Sequence, residues 1–286
     1  MDEVGDYMAS LRDLQHIELE MIKYLDEMFR KNNLRYFLLG GSLLGAVRHK
    51  GFIPWDDDID VGMPRSDYER FLRIIKHTNG RYKISWLGSK KYYNSLYFVK
   101  IINPEYLISE NNDGVQRDVH PWVDIFPLDG VPQNGIKFLF WKYYTWIIYR
   151  LYMFSRNSET CDPSKMSLNS AKNVMKYITL KSGLINILDK KSLYKKLDRQ
   201  LKKYDFDKSD RVINFCGFWH FKEMFPKSVY DNAADYRFED ILLRGPTDYN
   251  TVLTQMYGNY MTPPPEADRK HHTLDYSTLR KIKQSE

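Results

Sequence analysis

The stretch Ile53–Met63, IPWDDDIDVGM, places four carboxylates within five residues and then returns at once to apolar side chains. A solvated acidic loop has no need of Ile59, Val61 and Met63 beside it. A core strand does not tolerate aspartates unless positive charge offsets them. Read as a strand, the segment puts Asp56, Asp58 and Asp60 on one face and Asp57, Ile59 and Val61 on the other. Asp58 and Asp60 then stand ~6.5–7 Å apart at Cβ, and two carboxylates at that spacing can share hard cations ~3.5–4 Å apart, the arrangement of two-metal phosphoryl chemistry. Such cations would supply the missing positive charge. Three other readings compete: a solvated acidic turn, a calcium loop, and the D-x-D metal site of a nucleotide-sugar glycosyltransferase. The calcium loop fails, because Val61 stands where a glycine is required and Asp67 occupies the place of the closing glutamate. The aspartates alone leave the other two open.

Upstream, LLGGSLLGAVR reads as a strand ending in Gly40-Gly41-Ser42 and opening into a helix with Ser42 at its N-cap. Glycines let a backbone approach a phosphate, and a helix N-terminus offers free N–H groups and a positive dipole end. With DDDID less than twenty residues later, the pair reads as a phosphate cradle facing a metal site.

The rest of the chain suits a mixed α/β (α+β) protein. Leu11, Leu14, Ile17, Met21, Leu25 and Met28 recur at helical steps, predicting a helix over Ala9–Lys31. RSDYERFLRIIKH reads as a helix with Ser66 and Glu69 as its capping box. Strands are expected at Tyr82–Leu87, Leu96–Ile102, Val123–Phe126 and Val212–Phe215, and a helix near Tyr249–Tyr257. SAKNVMKYITL and SLYKKLDRQLKKYDF read as helices. The expected division is a catalytic core over residues 1–134, a helical basic and aromatic insertion over 135–208, and a C-terminal segment over 209–286 that completes the core. With 286 residues and 43% hydrophobic composition the chain can bury a sizeable core. A net charge of +6 without a long basic run favours anionic partners other than nucleic acid. The two cysteines, Cys161 and Cys216, form no metal motif or disulfide framework, so a reducing, cytoplasmic setting is expected, and the acidic N-terminus lacks a secretory signal pattern.

FLLGGSLLGAVRHKGFIPWDDDIDVGMPRSDYERF resembles the LicD family, members of the nucleotidyltransferase superfamily related to DNA polymerase β, with fukutin and fukutin-related protein as distant relatives. The resemblance continues in WVDIFPLDG and YGNYMTPP. It implies a nucleotidyltransferase-like mixed sheet with flanking helices. It also implies that Gly41 and Ser42 touch donor phosphates, that Asp58 and Asp60 bind two Mg²⁺ ions (Mn²⁺ being the alternative), and that Asp124 is a third metal-binding and catalytic carboxylate. The implied reaction moves a phospho-alcohol, typically phosphocholine from CDP-choline, onto a glycan or teichoic acid hydroxyl, and CMP leaves.

A pyrophosphate donor also needs basic neighbours, for which Arg48 and Lys100 are the candidates. Trp55 and Trp122 could wall an aromatic cage for choline. Asp129, before Gly130, reads as a turn residue. His49 and Lys50 read as surface residues. His271 and His272 read as a solvated pair, with closure over the donor as the alternative. Ile136–Phe154 is interrupted by Lys137, Lys142 and Arg150, so it reads as a core or interfacial helix, the latter resting on the inner face of a membrane that carries a lipid-linked acceptor.

Overall fold

The computed structural model describes residues 9–282 apart from 79, 113–114, 161–163, 165–173, 175–176, 179–180, 183–187 and 270–271. Along the chain run α1 (Leu11–Lys31), β1 (Phe37–Leu38), α2 (Gly40–Arg48), β2 (Asp60–Pro64), α3 (Arg65–His77), β3 (Lys83–Ser85), β4 (Val99–Ile102), β5 (Tyr106–Asn112), β6 (Val115–Val119) and β7 (Trp122–Gly130). After them come α4 (Gly135–Thr160), α5 (Lys190–Leu201), β8 (Arg211–Ile213), β9 (Met224–Pro226), β10 (Ala233–Phe238), β11 (Ile241–Pro246), α6 (Tyr249–Tyr257) and β12 (Leu274–Lys281). The fold is mixed α/β, as expected. Most of SAKNVMKYITL lies outside the described residues, Val174, Tyr177 and Ile178 being helical, and Cys161 and His271 lie outside them too.

The central sheet runs β1-β2-β7-β4-β3, with β8 joined to β7 and β9 to β8. Its centre is β7, whose nine residues are all buried, the continuous apolar run of a strand covered on both faces. Only β2 runs parallel to β7, in a register that pairs Asp60 with Asp124. β4 runs antiparallel on the other side and pairs Lys100 with Asp124. Asp60, Asp124 and Lys100 therefore form one row across three strands. β12 pairs with β5, which pairs with β6, in a second sheet.

α1 buries Leu14, Met21, Ile22, Leu25 and Phe29 against the main sheet. Its first turn is held by Asp13, whose carboxylate accepts from the Ser10 N–H at 2.8 Å. Two expectations shift by a few residues. The acidic strand begins only at Asp60, so Asp56–Ile59 form an irregular entry to it and Asp58 is not a strand residue. α3 starts at Arg65, so Ser66 lies inside its first turn and caps nothing. β5, β6 and β9 to β12 were not foreseen: β9 has only three residues, and polar residues break the alternation in the others.

Asp129 is corrected from turn residue to buried anchor. It is the penultimate residue of β7 and fully buried, and the Arg65 guanidinium grips it with two bonds of 2.7 and 2.6 Å. Arg65 also reaches Asp198 of α5 at 3.2 Å, so one arginine ties α3, β7 and α5 together. Removing one partner strands the other charge in the core. Asp129→Ala is expected to lose about 3–5 kcal/mol of unfolding free energy, read from denaturant titrations. A matched apolar pair, Arg65→Met with Asp129→Leu, should recover most of it.

Candidate active site

A cleft of about 500 Å³ opens at the row of strand residues. Asp58, Asp60, Asp124, Lys100, Gly40 and Gly41 all line it. Carboxylate oxygens of Asp58, Asp60 and Asp124 lie within 4.8 Å of one another. Each aspartate is held by a different device. Asp60 starts β2, and its N–H donates to Ser42 Oγ at 2.8 Å while its carbonyl accepts from the Leu39 N–H at 3.0 Å. Asp124 is placed by strand pairing, its N–H donating to the Ile59 carbonyl at 2.9 Å. Asp58 rides on the irregular entry, which α1 supports from behind through Gln15, whose side-chain amide donates to the Asp56 carbonyl at 2.8 Å.

The glycines serve the acidic segment as much as any ligand. Gly40 takes a positive φ of 49°, and a Cβ at Gly41 would stand 2.5 Å from the Asp56 carboxylate. α2 begins at Gly40 with Leu39 as its cap residue, so the expected Ser42 cap is corrected. Ser42 lies in the first turn, buried, with its hydroxyl engaged by Asp60.

Crowded carboxylates raise one another. Burial, then the charges of Asp58, Asp124 and Asp56, push Asp60 well above the usual range. Asp124 is raised to about 6, burial outweighing the Lys100 ammonium 3.4 Å away. Its Oδ1 is buried without a hydrogen-bond partner. Glu18 of α1, fully buried behind the cluster, has neither carboxylate oxygen hydrogen-bonded, and burial with the neighbouring aspartate charges raises it strongly. Asp57 goes the other way. Although burial pushes it up, it is lowered by His272, which donates from its backbone N–H at 3.1 Å and its ring Nδ1 at 3.0 Å, and Tyr276 adds its hydroxyl at 3.0 Å. His272 itself is raised to about 9, since Asp57 and Asp58 outweigh the opposing effect of burial. The expected solvated histidine is thus a half-buried cationic clasp. A dense set of carboxylate oxygens, buried at Asp124 and half-buried at Asp58 and Asp60, suits a hard divalent cation.

Three expected site residues lie elsewhere. Arg48 donates to the Tyr260 carbonyl at 2.6 Å, and Trp55 carries the Arg269 guanidinium 4.2 Å over its ring. Both hold down the C-terminal tail and neither lines the cleft. Trp122 is buried, with Lys100 Nζ lying 3.7 Å over its ring, so that face already carries a cation. The cleft contains instead Tyr97, Tyr149, Arg156, Phe218, Trp219, Glu223 and Tyr257. The dense aromatic run NFCGFWHF was the available signal for Phe218 and Trp219.

Glu223 accepts from the Trp219 N–H at 2.9 Å and the Asn214 side-chain amide at 2.7 Å, yet burial raises it to about 7. A folded pKa above the unfolded 4.5 means that the native state holds a proton the unfolded chain has lost, so stability falls as pH rises from about 4.5 through about 7. Glu223→Gln should flatten that decline, gaining on the wild type by on the order of 2–3 kcal/mol between pH 5 and pH 8 in paired denaturant titrations.

Residues 33–167 match the family described as LicD/FKTN/FKRP, nucleotidyltransferase domain. The chain is similar to the lipopolysaccharide cholinephosphotransferase LicD of Haemophilus influenzae, 32% identical over 277 residues that cover 93% of this chain and 96% of the relative. It is also similar to the mouse ribitol 5-phosphate transferase FKRP, 46% identical over 120 residues, 41% of this chain and 21% of that protein. A third relative is the Rickettsia typhi protein RT0683, 36% identical over 80 residues, 28% of this chain and 24% of that protein.

Proposed function

The chain belongs to the LicD family, and on that premise we propose that it transfers phosphocholine from CDP-choline onto a hydroxyl of a cell-surface glycan or teichoic acid precursor. Both relatives with a named activity carry a phospho-alcohol in that name, which favours this reading over a nucleotide-sugar glycosyltransferase with a D-x-D site. The observation that carries it is the row Asp60–Asp124–Lys100 with Asp58 beside it, in a cleft that takes a nucleotide-sized donor.

Asp58, Asp60 and Asp124 would hold Mg²⁺, or Mn²⁺ in its place. Bound there, the metal neutralises donor phosphates and stabilises the leaving CMP. The protein's own groups supply the rest. Gly40 and Gly41 bring the first turn of α2 to the cleft, where its free N–H groups suit a phosphate oxygen. Ser42 fixes Asp60 rather than reaching for the donor. Lys100 provides a fixed positive charge beside Asp124. The acceptor hydroxyl attacks the phosphorus that bears the alcohol, the bond from that phosphorus to the bridging oxygen breaks, and CMP departs with that oxygen. Asp124, beside Lys100 in the same row, would orient or accept the hydroxyl proton.

α4 supports a membrane-side placement for this reaction. Its inner face buries Trp141, Ile148, Tyr149 and Tyr152, while Leu139, Phe140, Tyr143 and Ile147 stand exposed on the outer one. Lys137, Lys142 and Arg150 are its charged residues up to that point, without an acid among them. Exposed rings and aliphatic groups edged by cations fit an anionic lipid surface. Among the described residues no helix is long and apolar enough to cross a membrane. Tyr149, Met153 and Arg156 of the same helix line the cleft, so contact at α4 would bring a lipid-linked glycan to its mouth.

CMP release from CDP-choline, followed by chromatography with a crude glycan acceptor, should require Mg²⁺ or Mn²⁺ and fall at least about a hundredfold in Asp58→Asn and Asp60→Asn. The same ions should raise the melting temperature of the wild type but not of Asp60→Ala. Silence with every CDP-alcohol, alongside turnover of a UDP- or GDP-sugar, would instead favour the glycosyltransferase. In co-sedimentation with phosphatidylglycerol vesicles, the double variant Phe140→Ser/Ile147→Ser should bind at least about tenfold more weakly, having lost two exposed apolar side chains that would enter the lipid.

A further inference from the structure

The net charge of the chain sits on one helix. Residues 190–204 carry seven cations and one acid, a net +6, which is the net charge of the whole chain, so the remainder is balanced. In sequence the cations are parted by Leu193, Leu197 and Leu201, and the helical period gathers them. The leucines form the buried stripe of α5, while Lys191, Lys195, Lys196 and Arg199, with Lys203 just past the last turn, are exposed on the face opposite. Among the described residues none of these five forms an ion pair. Asp198, the one acid, is engaged by Arg65 of α3 at 3.2 Å and by Lys202 at 2.9 Å. Lys191, Lys195, Arg199 and Lys203 follow one another at four-residue steps, about 6 Å apart along the axis. Like charges at that step destabilise a helix by itself, and solubility needs only mixed signs. The row therefore points to an anion outside the chain.

α5 lies behind the apolar face of α4. The two helices meet through Trp141, whose Nε1 donates to the Gln200 carbonyl at 3.1 Å, and through Tyr152, whose ring lies 6.0 Å from that of Tyr194. Trp141 and Tyr152 belong to the buried face of α4, opposite Leu139, Phe140, Tyr143 and Ile147. A membrane that receives those four lies beyond α4 from α5, and the cationic row is left to water. Tyr152 also stands between Tyr149 and Arg156, which line the cleft, so the first turns of α5 run one helix spacing, about 10 Å, from it.

We propose that the cationic face of α5 is an exosite for the acceptor, holding a glycan chain that bears phosphodiester groups while one of its hydroxyls reaches the cleft. This rests on the transferase reading above. Evenly spaced cations match a flexible polyanion whose phosphates recur along it, and their pairing releases counterions. An uncharged glycan gains nothing there. Single-stranded nucleic acid would need rings on which its bases stack, and Tyr194, the aromatic residue of the helix, is turned inward against Tyr152.

The test measures binding of purified poly(glycerol phosphate) and of neutral dextran by the wild type and by the fourfold variant Lys191→Gln/Lys195→Gln/Lys196→Gln/Arg199→Gln. The wild type should bind the phosphate polymer alone, with an affinity that falls steeply as salt rises. The variant should bind it at least about tenfold more weakly and with a shallower salt dependence. Its melting temperature should not fall, since glutamine suits a helix and the like-charge pairs are relieved. With CDP-choline and the crude glycan acceptor, the variant should raise the acceptor KM about tenfold and leave kcat and the KM for CDP-choline unchanged. No binding of the polymer by the wild type, or equal binding by both proteins, overturns the exosite. So does a variant that keeps the polymer but loses phosphatidylglycerol vesicles or duplex DNA, which would assign the row to lipid or to nucleic acid. If polymer binding depends on the row and no CDP donor reacts, the surface stands and the donor reading fails. Transfer with an unchanged acceptor KM in the variant keeps the transferase reading and removes the exosite.

Discussion

The parallel pairing of β2 with β7 is the constraint on which the site depends. It sets Asp60 beside Asp124 on neighbouring strands, and a slip of one residue would turn one of them into the opposite layer. The pairing is locked from several directions. The Leu39 and Asp124 N–H groups bond to the carbonyls of Asp60 and Ile59, and the Ser42 hydroxyl takes the Asp60 N–H. Only a rigid frame can hold like charges so close. The fold answers the repulsion by placing Lys100 in the same row and His272 against the neighbouring aspartate.

Much of this frame was legible in the sequence, because apolar periodicity and charge contrast are local signals. α1, α3, α6 and the core strands follow from spacing, and Asp58, Asp60 and Asp124 come together as carboxylates in an apolar setting should. What was not legible depends on contacts across long stretches of chain. Arg48 and Trp55 sit beside the acidic segment in sequence, yet both face the C-terminal tail. Asp129 looked like a turn former, and only the approach of Arg65 from α3 makes it a core residue. Glu18 stands four residues after Leu14 and three before Met21, on the buried face of α1, and only its polar side chain kept it from reading as a core position.

α4 links these scales. Its buried face packs against α5 and the segment before β4 through Trp141 and Tyr152, whose polar atoms find the Gln200 and Ser95 carbonyls. Residues one turn along on the same helix line the cleft, and the remaining face is apolar and exposed. A single helix therefore couples core, chemistry and surface, and a shift that seats one face better disturbs the other two.

The clasp on Asp57 has a consequence in time. Its partners, His272 and Tyr276, lie 215 and 219 positions further along the chain. During synthesis the sheet, the carboxylate row and the cleft floor can assemble while the segment that fixes Asp57 is still inside the ribosome. The acidic segment stays without its histidine until late, and Asp57 lacks both side-chain partners until then. On the proposed function, an ordered acidic segment would then follow folding of the core and wait for the docking of β12.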